Sequence, residues 1–286
     1  MNESASNQFV MIGLPASGKT SFLAALWYLV QHKEVEHRLT LERMEGDSKH
    51  LNHISSLWAS FEVVPRTSTS SERTVSMVLN NSVTKKTITL TFPDLSGESF
   101  MAQWVERHFT VSYDNFLKDS VGGVLFISPL DYRKPVRIAS ALPLLKEMGA
   151  AGGSNGETDD SSIAWDPTKA PTQVQLVELL QFVAEREYFK PPFRLALVIS
   201  AWDQLKGVKA SPLKWLVDEM PFLFQFLESN RRLFDFNVYG LSAQGGDYED
   251  DVGKLTGMKP SERILVSGDS VTNPHDLTEL LTWLMP

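Results

Sequence analysis

Short apolar segments alternate with longer amphipathic ones along most of this chain. Gln8–Ile12, Gly122–Ser128 and Phe193–Ile199 are short, mainly apolar runs, which are typical of buried strands, and Phe234–Leu241 is also predicted to be a strand. The segment after the first run, Ser21–Val30, is longer and has the composition of a buried helix. Strands that alternate with helices predict an α/β fold, with a mainly parallel sheet covered on both faces.

Further helices are predicted where apolar residues recur three and four positions apart. These segments are Ser48–Phe61, Phe100–Phe109, Pro135–Met148, Thr172–Glu187, Ser211–Asn230 and His275–Leu284. Val75–Leu79 and Thr87–Phe92 alternate apolar and polar residues instead, and turn-forming residues lie between them. This pattern predicts a hairpin, and therefore one antiparallel strand at an edge of the sheet.

Polar stretches interrupt the pattern without dividing the chain. Gln31–Glu45 is polar and mixed, and Val63–Thr74 is a polar loop. Gly149–Pro171 is rich in Gly, Ser, Asp and Pro, which indicates a flexible insert, and Gly245–Pro260 is an acidic, glycine-rich loop. Because the alternation of strands and helices continues across the insert, we expect residues 1–286 to form a single domain.

Composition excludes several classes of protein. The chain has 286 residues, of which 42% are hydrophobic, and a net charge of −8. An acidic chain is a poor ligand for nucleic acid, and the lack of cysteine excludes disulfides and thiolate metal sites. The first residues lack the pattern of a signal peptide, and the longest apolar run, Phe22–Val30, is shorter than the ~20 residues of a membrane span. We therefore expect a cytoplasmic protein with no membrane span and no nucleic-acid partner.

One glycine-rich loop carries the most specific chemical signal. Residues 13–20, Gly-Leu-Pro-Ala-Ser-Gly-Lys-Thr, fit the pattern G-x-x-x-x-G-K-[ST] between a predicted strand and a predicted helix. Its backbone N–H groups can surround a phosphate, Lys19 can reach the β- and γ-phosphates, and the Thr20 hydroxyl can bind Mg²⁺. The residues predicted to contact the nucleotide here are Gly13, Ala16, Ser17, Gly18, Lys19, Thr20 and Ser21. The alternative is a chance glycine turn, which the flanking strand and helix disfavour.

A second candidate site follows the strand Thr87–Phe92. Asp94 can hold the metal through water, the Gly97 N–H can contact a γ-phosphate, and Glu98 can face the attacking water. The alternative is a plain Asp–Gly turn. The position of this segment, after a strand and behind a phosphate loop, favours the metal site.

Two later loops carry residues suited to a purine base. Asp203, which follows Leu195–Ile199, can accept hydrogen bonds from the N1–H and 2-amino groups of guanine, a pair that adenine lacks. Trp202 can stack near the base or pack in the core, and Asp203 can alternatively cap a helix. After Phe234–Leu241, the backbone N–H groups of Ser242, Ala243 and Gln244 can meet the guanine O6. In open α/β sheets such loops meet at the carboxyl ends of the strands.

The order of these four motifs resembles the translation-factor-related class of P-loop GTPases. Within that class the chain looks most like the bacterial double-GTPase families, and most like the second of the two types, because of its Ala-Trp-Asp base motif and its final Leu-Leu-Thr-Trp-Leu helix. The resemblance extends from Ile12 to Leu284. It implies a three-layer P-loop NTPase fold, Mg²⁺ as cofactor, GTP or GDP as ligand, and a protein partner, which can be a second GTPase in a bacterial conflict or defence system.

The chain departs from the usual pattern of that class at several positions. Ser200 and Ala201 replace the Asn and Lys of Asn-Lys-x-Asp, which bears on base affinity and guanine selectivity. Glu98 replaces a water-orienting Gln, so we expect slow hydrolysis. The long interval between Lys19 and Asp94 places an insertion at about residues 31–74, in the first switch region. Thr67 or Thr69 is the candidate Thr that completes the Mg²⁺ shell, with Thr67 also a candidate catalytic residue. Arg66 and Arg73 can supply a transition-state charge. Each of these four can also be an ordinary polar loop residue.

Two other functions remain open from the sequence. The chain can hold a nucleotide without turnover, which the changes at Glu98 and in the base motif favour. It can also be an ATPase or kinase of the same superfold, in which case Asp203 would not select the base.

Overall fold

The chain forms one mixed sheet with helices on both of its faces. A computed structural model describes residues 5–45, 48–65, 73–85, 87–94, 97–135, 166–205 and 211–285. Within these residues the strands are β1 (Ala5–Ile12), β2 (Leu39–Glu45), β3 (Arg73–Asn81), β4 (Thr87–Asp94), β5 (Ser120–Ile127), β6 (Phe193–Ile199), β7 (Phe234–Ser242) and β8 (Leu265–Ser267). The helices are α1 (Lys19–Gln31), α2 (Lys49–Ala59), α3 (Gly97–Glu106), α4 (Val111–Lys118), α5 (Thr172–Ala184), α6 (Pro212–Glu219), α7 (Pro221–Ser229), α8 (Val252–Leu255), α9 (Pro260–Arg263) and α10 (Thr278–Leu284).

The strand order is β2-β3-β4-β1-β5-β6-β7-β8. The five central strands, from β4 to β7 in this order, run parallel, and β3 pairs antiparallel with both of its neighbours. β8 also pairs antiparallel with β7. The predicted α/β fold and the β3–β4 hairpin are confirmed. Antiparallel pairing occurs at both edges of the sheet, whereas the sequence indicated it at one.

Alternate residues of the central strands enter two separate hydrophobic cores. In β1, Phe9 and Met11 pack with α1, α2 and α10, whereas Val10 and Ile12 pack with α4, α5, α6 and α7 on the other face. These four side chains are at most 1% exposed. Burying one such side chain stabilises a fold by about 1.5–3 kcal/mol. Because both faces of β1 are covered, the loop after it is fixed from both sides.

The edge strand β2 was not predicted, because its apolar residues do not alternate regularly. Leu39 is fully buried, and Leu41 packs against the same core. The register with β3 then shifts between Leu41 and Arg43, so that Met44 becomes the next core residue. Such a bulge inserts one residue and breaks the two-residue period on which strand prediction depends.

The predicted helix Ser211–Asn230 is two helices. α6 ends before Met220, and Pro221 is the first residue of α7. Proline has no N–H to donate to the preceding turn, so a helix can begin with it but not pass through it unchanged. The apolar spacing continues across the break, so that periodicity alone indicated one helix. Four other elements were also missed. They are α4, which has eight residues, and β8, α8 and α9, which have only three or four residues each.

Some predictions fall outside the described residues. They are the helix Pro135–Met148 from its second residue onward, most of the insert 149–171, and Arg66, Thr67 and Thr69. The end of the insert forms a short 3-10 turn at Pro167–Lys169. In the described part of the chain, every helix is too short or too polar to cross a membrane.

Candidate functional site

The glycine-rich loop turns tightly between the end of β1 and the start of α1. Gly18 has a φ of 93° and Ala16 a φ of 58°, both in the left-handed region that glycine adopts most easily. A Cβ atom on Gly13 would lie 2.5 Å from Ser17 Oγ, and one on Gly18 would lie 2.8 Å from the Cβ of Ser200. The loop therefore requires glycine at both ends. α1 then starts after Gly18 without a hydrogen bond from a capping side chain. The N–H groups at the start of a helix favour an anion.

The ammonium group of Lys19 lies inside this loop. The residue is 6% exposed, and its Nζ donates to the carbonyls of Gly13 at 2.6 Å and Leu14 at 3.1 Å, and to Ser17 Oγ at 3.3 Å. Nζ also lies 5.4 Å from the ring centroid of Phe100 in α3. A buried cation held by carbonyl dipoles is a favourable partner for phosphate, which carries full negative charge.

The candidate metal ligands lie on neighbouring elements. Thr20 is the second residue of α1, and Asp94 ends β4, which runs parallel to β1 beside it. A hydroxyl and a carboxylate are oxygen donors of the kind that Mg²⁺ prefers, so the residues present fit this ion. The side chain of Asp94 lies outside the described part of the chain, and of Arg73 the structure describes only the backbone, which pairs with Asp94.

The second switch candidate is the start of α3. Gly97 is the first residue of this helix, and Glu98 lies in its first turn with its side chain exposed. Phe100, two residues further on, is 1% exposed and packs with the core under β1. The helix is thus anchored through Phe100, while Glu98 faces solvent where a water molecule can reach it.

An open cleft of about 280 Å³ joins the phosphate loop to the two predicted base loops. Its lining residues lie at the carboxyl ends of parallel strands or in the loops and helix that follow them: Ala16, Gly18, Ser21, Ser128, Leu130, Ser200, Ala201, Asp203, Gln204, Leu241, Ala243, Gln244, Gly246, Asp247 and Tyr248. Motifs far apart in sequence therefore meet on one surface. This is the arrangement expected of a ligand site in an open α/β sheet.

The loop after β6 forms the middle of the cleft. Ala201 has a φ of 46°, which turns the chain into a single 3-10 turn that carries Asp203. Asp203 is half-buried and accepts a hydrogen bond from Gln204 Nε2 at 2.6 Å. Ser200 donates from Oγ to the Ile127 carbonyl at 3.2 Å and packs against Gly18. Ser200 thus ties the base loop to the phosphate loop.

Trp202 packs against strand β7. A Cβ atom added to Gly240 would lie 2.5 Å from the indole of Trp202, so the ring covers the bare backbone of that glycine. Trp202 is also part of the second hydrophobic core. This position favours the interpretation that Trp202 packs in the core. Contact of its ring with a base stays a prediction.

The loop after β7 is held in place by α2. Trp58 Nε1 donates to the Ala243 carbonyl at 3.0 Å, and Gln244 Nε2 donates to the Trp58 carbonyl at 3.4 Å. Ser242 is 1% exposed, and its Oγ accepts from the Gly245 N–H at 2.9 Å. Both backbone and side-chain groups therefore anchor this loop, and Ala243 and Gln244 line the cleft.

Several cleft residues were not identified from the sequence. Ser128 and Leu130 follow β5, and the rule that ligands bind at the ends of parallel strands could have indicated them. Asp247 and Tyr248 belong to the acidic loop Gly245–Pro260, to which the sequence assigned no function, and they line the cleft. No local pattern marks them, because the fold of the loop after β7 brings them there.

Comparisons with known proteins agree with this geometry. The family model described as Double-GTPase 1 matches residues 10–284. The expected P-loop GTPase class and double-GTPase layout are confirmed. The expected second type is not confirmed, because the matching model describes the first type. The base motif and the final helix, which suggested the second type, are only a few residues long. A comparison with curated proteins found no significant match.

Two solved structures resemble the chain distantly. The small GTPase Arl6 (BBS3) from Trypanosoma brucei, bound to the nucleotide analogue GppNp, is 10% identical over 88% of this chain and 96% of its own, with a TM-score of 0.40. The bacterial selenocysteine-specific elongation factor EF-Sec is 11% identical over 90% of this chain and 29% of its own, with a TM-score of 0.39.

Proposed function

We propose, since the chain belongs to the Double-GTPase 1 family, that it is a GTP-binding switch which hydrolyses GTP slowly with Mg²⁺. The observation that carries this proposal is the cleft that joins the phosphate loop to Asp203 and to the loop of Ala243 and Gln244. A site for phosphate alone would not need the two base loops at its edge. Residues 1–286 would act as a single domain, with an enlarged first switch at about 31–74 and an insert at about 149–171.

The phosphates would occupy the loop around Lys19. The Lys19 ammonium group donates hydrogen bonds to the Gly13 carbonyl at 2.6 Å and to the Leu14 carbonyl at 3.1 Å. Phosphate oxygens would become additional acceptors. The N–H groups at the start of α1 would meet the same oxygens. Thr20 and Asp94 would hold Mg²⁺, which neutralises charge on the phosphates when bound.

Glu98 would orient the attacking water, and replacing it tests turnover directly. Glu98→Ala should lower the rate of single-turnover GTP hydrolysis by about 100-fold, which is typical of losing a group that positions or deprotonates the nucleophile. GDP affinity should stay unchanged, because Glu98 would lie beyond the β-phosphate. Phosphate release from [γ-³²P]GTP at excess protein gives the rate.

The matched control is Glu106→Ala, which removes an exposed carboxylate from the other end of α3. It should leave the rate unchanged. Equal rates for wild type and Glu98→Ala would reject the role of Glu98. Wild type that binds GTP and releases no phosphate would favour the alternative function, nucleotide binding without turnover.

Asp203 would select guanine over adenine. Asp203→Ala should weaken GDP binding by about 100-fold, because two hydrogen bonds to a carboxylate are lost, and should leave ADP binding unchanged. Titration calorimetry with both nucleotides measures the two affinities. The alternative function, an ATPase or kinase of the same superfold, requires that wild type bind both nucleotides alike and that Asp203→Ala change neither affinity.

The switch would act through a protein partner that senses the two switch regions. GTP and Mg²⁺ would order the region of Thr67 and the start of α3, and hydrolysis would release them. Our candidate for that partner is a second GTPase, in the cytoplasm of a bacterium and in a conflict or defence system. Binding of the partner that depends on GppNp and is lost with GDP would support this part of the proposal.

A further inference from the structure

The cleft contains one aromatic ring among the lining residues that the structure describes. That ring is Tyr248, and most of its neighbours in the cleft are small, among them Gly18, Ala201, Ala243 and Gly246. Ala201 stands where the resembled motif has a Lys that covers the base. Small residues leave room for a flat ring but offer little surface to hold it.

The Tyr248 ring contacts Phe61, which lies two residues after the end of α2. Its centroid lies 5.0 Å from that of Phe61, at an interplanar angle of 37°. Phe61 is 8% exposed and has a φ of 60°, which turns it out of the end of α2 and under the tyrosine. A tyrosine hydroxyl is neutral at physiological pH, and burial raises the pKa of Tyr248 further above its ordinary value. An uncharged, supported ring is a suitable surface for stacking.

A buried arginine fixes Phe61 in this position. Arg263 is 2% exposed, and its Nη2 donates to the carbonyls of Trp58 at 3.1 Å and Ala59 at 2.9 Å, which lie in the last turn of α2. Its guanidinium carbon also lies 5.5 Å from the Phe61 centroid. Carbonyls at the end of a helix lack partners within the helix and carry partial negative charge, so a cation stabilises them.

We propose that Tyr248 is the residue on which the base of the bound nucleotide stacks, and that Phe61 and Arg263 position it. This inference rests on the proposed function and adds the contact that holds the base, whereas Asp203 would select it. Every nucleobase has a π-face, so stacking on Tyr248 contributes affinity without choosing between guanine and adenine. Because Phe61 lies within the predicted first switch region, at about residues 31–74, the same contact joins the base to that region.

The test compares three ligands with variants of Tyr248. Tyr248→Leu should weaken GDP binding by about 10- to 100-fold, the usual effect of losing one base–aromatic stack. Tyr248→Phe keeps the ring and should stay within about twofold of wild type. Tripolyphosphate has no base, so its affinity for Tyr248→Leu should equal that for wild type. ADP affinity should fall by the same factor as GDP affinity.

The outcomes separate the inference from the proposed function. Wild type that binds no guanine nucleotide contradicts the proposed function. Wild type that binds GDP, with Tyr248→Leu binding it equally well, overturns only the stacking inference. A loss of tripolyphosphate affinity in Tyr248→Leu also overturns it, because the defect would then extend beyond the base. Tyr188→Leu is the matched control, since Tyr188 follows α5, away from the cleft, where it bonds to Asp114.

A second measurement uses wild type alone and does not depend on the folding of a variant. Photolysis of bound 8-azido-GTP, followed by peptide mapping, should place the adduct on Tyr248. An adduct confined to other cleft residues would overturn the assignment.

Discussion

Replacing Gly18 with alanine is expected to abolish detectable nucleotide binding. The φ of 93° at Gly18 costs a residue with a Cβ atom about 1–2 kcal/mol. That Cβ would also lie 2.8 Å from the Cβ of Ser200, on the loop that carries Asp203. Relief of the contact must separate the phosphate loop from the base loop. We expect GDP affinity to fall by at least about 100-fold, which equilibrium titration measures.

A second glycine provides the control for the Gly18 prediction. Gly253 lies in α8, and a Cβ atom there would meet no atom within 4 Å. Gly253→Ala should bind GDP like wild type and raise the free energy of unfolding by about 0.4–1 kcal/mol. Binding by Gly18→Ala within threefold of wild type would show that the loop does not hold the phosphates.

Lys19→Ala is expected to lower single-turnover GTP hydrolysis by about 100- to 1,000-fold, the typical effect of removing one charge-stabilising donor from a reaction centre. The substitution removes the ammonium group inside the loop, so the Gly13 and Leu14 carbonyls lose this hydrogen-bond donor. GTP affinity should fall more than GDP affinity, because Lys19 would reach the γ-phosphate. Phosphate release and titration with both nucleotides give the two results.

The control for Lys19 is an exposed lysine on α6. Lys214 is 60% exposed and pairs with Asp218 one turn further along the helix. Lys214→Ala should leave hydrolysis and both affinities unchanged, because a surface ion pair contributes about 0–1 kcal/mol to stability and this one is not in the cleft. If Lys19→Ala released phosphate at the wild-type rate, any hydrolysis observed would not come from this site.

The sequence predicted those parts of the site whose chemistry is local. Gly18 and Lys19 are recognisable because phosphate binding needs a left-handed turn and a cation at a fixed spacing before a helix. Asp203 was identified by its position after a strand, because the carboxyl ends of parallel strands meet at one edge. The central strands were also predicted, since part of each of β1, β5, β6 and β7 enters both hydrophobic cores and is therefore rich in apolar residues.

Features that depend on long-range packing were not predictable in the same way. Trp202 could be assigned to the base or to the core only once Gly240 was seen beneath its ring. The contacts that hold the loop after β7 join Trp58 to Ala243 and to Gln244, which are nearly two hundred residues away along the chain. Tyr248 lies in an acidic loop and has no motif around it. In each case the contacting residue is distant in the sequence, and only the tertiary fold brings the two residues together.

The most direct test is the affinity of wild-type protein for GDP and for ADP, measured by titration calorimetry in the presence of Mg²⁺. A cleft in which Asp203 receives the N1–H and 2-amino groups should bind GDP at least about 100-fold more tightly than ADP, because adenine supplies neither of these two donors to the carboxylate. Equal affinities, tighter binding of ADP, or no binding of either nucleotide would contradict the assignment of a guanine-nucleotide site.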